Sequence, residues 1–120
     1  MRKPWIIVAA VLAVLLTAAA AGAQEKRDSQ LRTVRGTVVD KQDTPLPSSV
    51  VYLKNMRTLT VKTYIADDAG TYRFSGLDPN VDYEIHAELK DSTSATRAIS
   101  SFESRKEMVI HLKVDKKKNR

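Results

Sequence analysis

The side chains able to do chemistry are few. The 120-residue chain holds two histidines, His86 and His111, and no cysteine. Without cysteine there is no disulfide, no thiolate metal site, no cysteine nucleophile and no lipid-modified lipoprotein Cys. A nucleophilic triad needs a nucleophile, a base and an orienting acid gathered in one pocket. Nothing around either histidine marks a nucleophile elbow or a histidine-bearing loop. Glu84, His86 and Glu88 recur at every second residue, which on a strand puts neighbours on one face about 7 Å apart. That is too wide for one ion without a ligand from another strand, and a wet strand face paired with Lys and Arg accounts for the same pattern. Asp40 with Asp43, and Asp67 with Asp68, offer the oxygen ligands that calcium takes, but turns commonly use Asp for hydrogen bonds. The reading is therefore of no catalytic residue, no metal site and no cofactor.

Sugar binding asks for aromatic rings beside polar groups. Past the N-terminal segment the aromatics are Tyr52, Tyr64, Tyr72, Phe74, Tyr83 and Phe102. Tyr72, Phe74 and Tyr83 fit a core, which leaves Tyr52 and Tyr64 as the candidate ligand-binding pair, a thin platform. An adhesin-type isopeptide cross-link needs a Lys, an Asn or Asp, and an acid on neighbouring strands; the last strand expected, Met108 to Val114, has no Asn or Asp. The terminal Lys116-Lys117-Lys118-Asn119-Arg120 suits anionic lipid or polysaccharide, each charge contributing up to about 1 kcal/mol near a membrane surface. It equally suits a solubilising end.

The elements that carry these residues read as strands. From Arg32 onward the period is two, not that of a helix. Val81, Tyr83, Ile85, Ala87 and Leu89 oppose Asp82, Glu84, His86 and Glu88. Met108, Ile110, Leu112 and Val114 oppose Val109, His111 and Lys113. Leu59, Val61, Thr63 and Ile65 oppose Thr60, Lys62 and Tyr64, with the first set taken as the buried one and Tyr64 facing outward. Such alternation is that of antiparallel strands with one face wet. Further strands are expected at Thr33 to Val39, Val50 to Lys54, Thr71 to Ser75 and Ser94 to Phe102. Turn chemistry separates them: Asp40 to Pro45, Asp67-Asp68-Ala69-Gly70, and Gly76 to Asn80. The expected core includes Tyr72, Phe74, Leu77, Tyr83, Ile85, Ile110 and Leu112; Lys62, Arg73, Glu84, His86 and His111 are expected outside.

Charge and leader set the address. Of 20 basic residues against 14 acidic, Arg2 and Lys3 lie at the start, and Lys116, Lys117, Lys118 and Arg120 at the end. The stretch from Gln24 to Asp115 is thereby neutral, unlike a nucleic-acid-binding fold with its positive face. Residues Met1 to Ala23 have the parts of a secretory signal peptide: Arg2-Lys3, an uncharged run from Trp5, and Ala21-Gly22-Ala23 before Gln24 as the cleavage site. An uncleaved anchor is the alternative, since a bilayer needs about 20 apolar residues; the membrane would then be met only through that segment. The expected location is outside the cytoplasm, periplasmic or secreted. The expected organisation is a signal peptide with its helix over 1–23, a polar lead-in over 24–31, one β domain over 32–114 and a basic disordered tail over 115–120.

Several segments match a family pattern. Val34-Arg35-Gly36-Thr37-Val38-Val39-Asp40 is followed by Thr44-Pro45-Leu46-Pro47 and Val50-Val51-Tyr52-Leu53. Then come Ala66-Asp67-Asp68-Ala69-Gly70-Thr71-Tyr72-Arg73-Phe74-Ser75-Gly76-Leu77-Asp78-Pro79 and Tyr83-Glu84-Ile85. From Arg32 to Val114 this resembles the carboxypeptidase regulatory-like domain, and it is similar to carbohydrate-binding-fold modules of bacterial surface proteins. The resemblance implies a transthyretin-like, seven-stranded antiparallel Greek-key β-sandwich. It implies little about activity, because its motifs are turn and core residues. Enzymes of the transthyretin-like fold that hydrolyse hydroxyisourate use histidines and a C-terminal Tyr-Arg-Gly-Ser, and the Lys116-to-Arg120 ending departs from that. The expected function is thus an exported, non-enzymatic module of the bacterial envelope with a structural or protein-interaction role. The alternative is a small glycan-binding module. Its partner is then an envelope protein or a cell-surface glycan. Exposed aromatics on a concave surface favour the second reading, and an unpaired hydrophobic edge strand favours the first.

Overall fold

The computed structural model describes residues 30–118. The expected signal helix, the cleavage residues Ala21, Ala23 and Gln24, and most of the lead-in lie outside these. The described chain forms nine strands: β1 Arg32–Val39, β2 Val50–Asn55, β3 Val61–Ile65, β4 Thr71–Leu77, β5 Tyr83–Leu89, β6 Ser92–Ser94, β7 Arg97–Ile99, β8 Glu107–Val109 and β9 Leu112–Lys117. They join in the order β3-β2-β5-β6-β9-β1-β4, with β7 also on β5 and β8 also on β1. The sheet curls on itself into a near-closed barrel and stays open between β3 and β4, which are its two ends.

The period of two becomes burial along the strands that line the barrel interior. In β5, Tyr83, Ile85 and Ala87 point inward; in β2, Val51 and Leu53; in β4, Tyr72, Phe74 and Leu77. Val34 and Val38 of β1 meet them from the other half of the barrel, with Met108, Leu112 and Val114. Two turns form as their residues dictate. Asp67 to Gly70 closes with the Gly70 amide donating to the Asp67 carbonyl at 2.9 Å. Gly70 has φ of 73°, and a Cβ there would press on the Leu46 amide and the Val38 carbonyl. Gly36 serves close approach instead. A Cβ at Gly36 would overlap the Ile110 carbonyl, the same oxygen that accepts the buried Tyr72 hydroxyl at 2.5 Å. Burial pushes the Tyr72 phenol well above its ordinary pKa.

Four expectations are corrected. The sheet is mixed, not purely antiparallel, because β8 and β9 both run parallel to β1. The expected Met108–Val114 strand is two strands, interrupted at Ile110 and His111, and Ile110 is only half-buried. The Ile110 amide and carbonyl turn to Arg35 and Tyr72 at this step. The expected Ser94–Phe102 strand shrinks to β7, Arg97–Ile99, with Ser94 closing β6 and Ser100 to Phe102 outside any strand. At the gap the Ala87 amide of β5 donates to the Ser94 hydroxyl at 2.9 Å instead of to a strand partner. Lastly, the chain does not fray after Val114. Strand β9 continues to Lys117, paired to β6 through Ser92↔Lys117 and Thr93↔Lys116. Backbone pairing is indifferent to the charge of side chains that point to water, so a lysine run adds to the ladder without entering the core.

Candidate interaction edge at strand β3

Strand β2 is flanked on both sides, and its registers build one face residue by residue. Val50 lies opposite Ile65 and Glu88, Tyr52 opposite Thr63 and His86, and Lys54 opposite Val61 and Glu84. Residues directly opposed across a pleated sheet share a face. These nine form the outer face of the β3-β2-β5 sheet, while Val51 and Leu53, both buried, lie on the inner face opposite Tyr64 and Lys62.

The phase of β3 is therefore the reverse of the sequence expectation. Val61 and Ile65, expected to be buried, face out and are 52% and 67% exposed. Tyr64, expected to face outward, lies on the core side at the rim of the barrel, its ring edge-on to Phe74 of β4 at 6.0 Å. Lys62 shares that side and is exposed at the rim, as is Arg73 on the outside of β4. The cause is the hairpin. Asn55 pairs with Thr60, its amide donating to the Thr60 carbonyl at 2.9 Å. Leu59 in the loop between them takes a left-handed φ of 64°. One residue more in that loop would have turned Val61, Thr63 and Ile65 inward.

The hydrogen-bonding parity follows from the same register. The Asn55–Thr60 bond at one end and the Ala66 amide to the Ser49 carbonyl at the other make Leu53–Lys62 and Val51–Tyr64 the bonded pairs between them. The backbone amides and carbonyls of Val61, Thr63 and Ile65 consequently point away from β2. Among the described residues no other strand pairs with β3. The edge thus presents a row of backbone donors and acceptors flanked by exposed apolar side chains, with Leu59 60% exposed at its start.

Part of the polar outer face is tied together by Tyr52, His86, Glu88 and Lys118. The Tyr52 ring stacks on His86, centroids 5.0 Å apart and planes 13° from parallel. His86 Nε2 lies 2.9 Å from Glu88 Oε2, and Lys118 Nζ lies 2.6 Å from Glu88 Oε1. The hydrogen bond from Lys118, then that from His86, holds the Glu88 carboxyl below its usual range. Glu84 and His86, expected to be exposed, are half-buried, because Tyr52 stacks over the imidazole and Thr96 with Lys54 closes the shallow depression beside it. His111 is exposed in the other half of the barrel, its Nδ1 accepting the Thr37 amide at 3.2 Å.

The remaining sequence candidates fall apart in space or into turns. Tyr52 and Tyr64 sit on opposite faces of the sheet and do not form one platform. Asp40 Oδ1 accepts the amides of Gln42 and Thr44 at 2.8 and 3.0 Å. Asp67 Oδ1 accepts those of Ala69 and Thr71 at 3.0 and 2.9 Å. Among the described residues no three of His, Asp and Glu converge on a metal-sized site.

The family profile of the carboxypeptidase regulatory-like domain matches residues 33–113. No curated protein sequence matches the chain. Solved structures share the fold at low identity. Catechol 1,2-dioxygenase from an Acinetobacter species is 13% identical with a TM-score of 0.55, over 72% of this chain and 53% of that one. The 3-chlorocatechol 1,2-dioxygenase of Rhodococcus opacus is 10% identical with a TM-score of 0.55, over 72% and 60%. A shaft pilin, spaA, of Lactobacillus rhamnosus GG is 14% identical with a TM-score of 0.55, over 73% and 49%. The chain thus spans about half the length of these structures, and at such identity the likeness is one of fold alone.

Proposed function

The chain belongs to the carboxypeptidase regulatory-like domain family, and from that membership we propose that it serves as a non-enzymatic protein-interaction module of the bacterial envelope. The observation that carries this is the open edge of β3. Its backbone donors and acceptors at Val61, Thr63 and Ile65 are turned away from β2, and the apolar side chains of Val61 and Ile65 stand exposed beside them. Native edge strands are ordinarily blunted by short length, charge, proline or a bulge; β3 is five residues long and carries one charge, Lys62 on the core side, but no proline and no bulge against β2. An extended partner strand would extend the sheet there, main-chain bonds supplying affinity and alternate side chains supplying selectivity. The leader at Met1 to Ala23 supports an exported location.

The test places a photo-crosslinking amino acid at Thr63, or at Arg73 on the β4 edge, in the full chain within the cells that make it. Covalent adducts are expected from Thr63 and not from Arg73. Equal labelling from both, or none from Thr63, would remove the basis for this reading.

A further inference from the structure

We propose that the strand completing the β3 edge is β3 of a second copy, paired antiparallel about a two-fold axis through Thr63. This rests on the reading of β3 as an interaction edge and names its partner.

The sequence of the strand, Val61-Lys62-Thr63-Tyr64-Ile65, is chemically self-complementary in one register. With Thr63 opposite Thr63 of the second copy, Val61 lies opposite Ile65, and Lys62 opposite Tyr64. The residues whose backbone groups point outward, Val61, Thr63 and Ile65, then face each other, and each exchanges both N–H···O=C bonds with its opposite number. Two β-branched side chains meet on the outer face, a favourable cross-strand pair, and both are among the most exposed apolar residues of the domain. On the other face the lysine stem lies along a tyrosine ring, with its ammonium free to reach water. No like charges are opposed.

Other registers with the same bonding parity are worse. Sliding by two residues one way sets Lys62 opposite Lys62, a destabilising like-charge pair. Sliding the other way sets Val61 against Asp67 of the following turn and shortens the overlap. The centred register is the one that uses all five residues of the strand. A seam this short falls below the size of standard stable interfaces, so the dimer should be weak and concentration-dependent.

The chain has no cysteine, which makes disulfide trapping clean. Thr63→Cys, Val61→Cys, Ile65→Cys and Arg73→Cys are each expressed as the full chain and exported to an oxidising compartment. Hydrogen-bonded antiparallel partners have Cα atoms about 5.5 Å apart, within disulfide reach. Thr63→Cys should give a disulfide-linked dimer as its main species. Val61→Cys and Ile65→Cys should each stay monomeric when expressed alone and dimerise when co-expressed. Arg73→Cys should stay monomeric. Melting curves check that each variant is folded, and sedimentation of the unmodified protein should show a dimer fraction that rises with concentration. A Thr63→Cys chain that cross-links no more than Arg73→Cys, with unmodified protein monomeric at every concentration, overturns the self-pairing. If photo-crosslinking at Thr63 still captures a different protein, the second copy falls while the interaction edge stands. If neither experiment yields an adduct, both fall.

Discussion

The two ends of the sheet, β3 and β4, are both edge strands, yet they are finished differently. At β4 the outward-pointing groups of Thr71 are occupied by the chain's own turn. The Asp67 amide donates to the Thr71 carbonyl at 3.1 Å, and Asp67 Oδ1 accepts the Thr71 amide. The Thr71 hydroxyl adds a 2.5 Å bond to Asp67 Oδ2. Further along, Arg73 stands exposed, Gly76 takes a φ of 72°, and the pairing with β1 slips a residue between Arg32 and Val34. Charge, an irregular backbone and a capping carboxylate together make β4 a poor template. Strand β3 is regular over its whole length with β2, uncapped, and bears Val61 and Ile65 with Thr63 between them on its outer face. An edge is closed or open according to a few side chains and one turn, not to its place in the fold.

The largest effect is expected where the two edges touch. Phe74 of β4 is buried and packs against Tyr64 of β3. Phe74→Ala should cost about 3–5 kcal/mol through lost burial and a cavity, most of the roughly 5–15 kcal/mol that holds a domain folded. Tyr64→Ala, at the rim, should cost much less. Denaturant melts of the two variants measure both; equal losses would mean that β3 is part of the core and not an appended edge.

Acid separates the edges next. Asp67 and Glu88 both have lowered carboxyl pKa values, Asp67 chiefly through the Thr71 hydroxyl and Glu88 chiefly through Lys118. A lowered value means that the unfolded chain binds protons more readily, so this contribution is fully present above the ordinary carboxylate range. It is lost as pH falls through the folded values. Strand β3 has no carboxylate. Amide exchange referenced to intrinsic rates should therefore show protection at Thr71 and along the β6–β9 pairing weakening on acidification before the β2–β3 pairing does. Uniform loss along all three would contradict the assignment.

Asp67→Ala should lower stability by less than Phe74→Ala and should speed exchange at Thr71 specifically. It sharpens the comparison by making the β4 edge resemble β3; an unchanged Thr71 exchange rate would show that the carboxylate does not cap it. The smallest stability effect belongs to Ile65→Lys. Substitution at so exposed a position should stay within about 0.5 kcal/mol while abolishing adducts at Thr63. A large loss of stability instead would show that the outer face of β3 is needed for folding.

Much of the barrel was legible in the residues. Strands β4 and β5 each have an apolar phase set against a polar one, and the turn at Asp67 to Gly70 combines a capping carboxylate with a glycine. Local chemistry therefore specified where they begin, where they turn and which way they face. Strand β3 has apolar residues in both phases, Val61 and Ile65 in one and Tyr64 in the other, so alternation cannot choose between them. Its phase is inherited from β2 through the length of the Met56–Leu59 loop. The interruption at Ile110 and His111 left no mark either, because a chain that stays extended keeps its period of two across a change of partner.

Composition, alternation and turn residues alone determined that this is a β domain with Tyr72, Phe74, Tyr83 and Ile85 at its centre. These are local properties, carried by each segment wherever it ends up. Only the tertiary structure decided that β8 and β9 run parallel to β1, that the lysines after Val114 extend a strand, and that Val61, Thr63 and Ile65 line an open edge. Each of those depends on which distant segment supplies the opposite backbone. Strand pairing is made by amides and carbonyls that every residue but proline carries, so side-chain sequence constrains it only weakly.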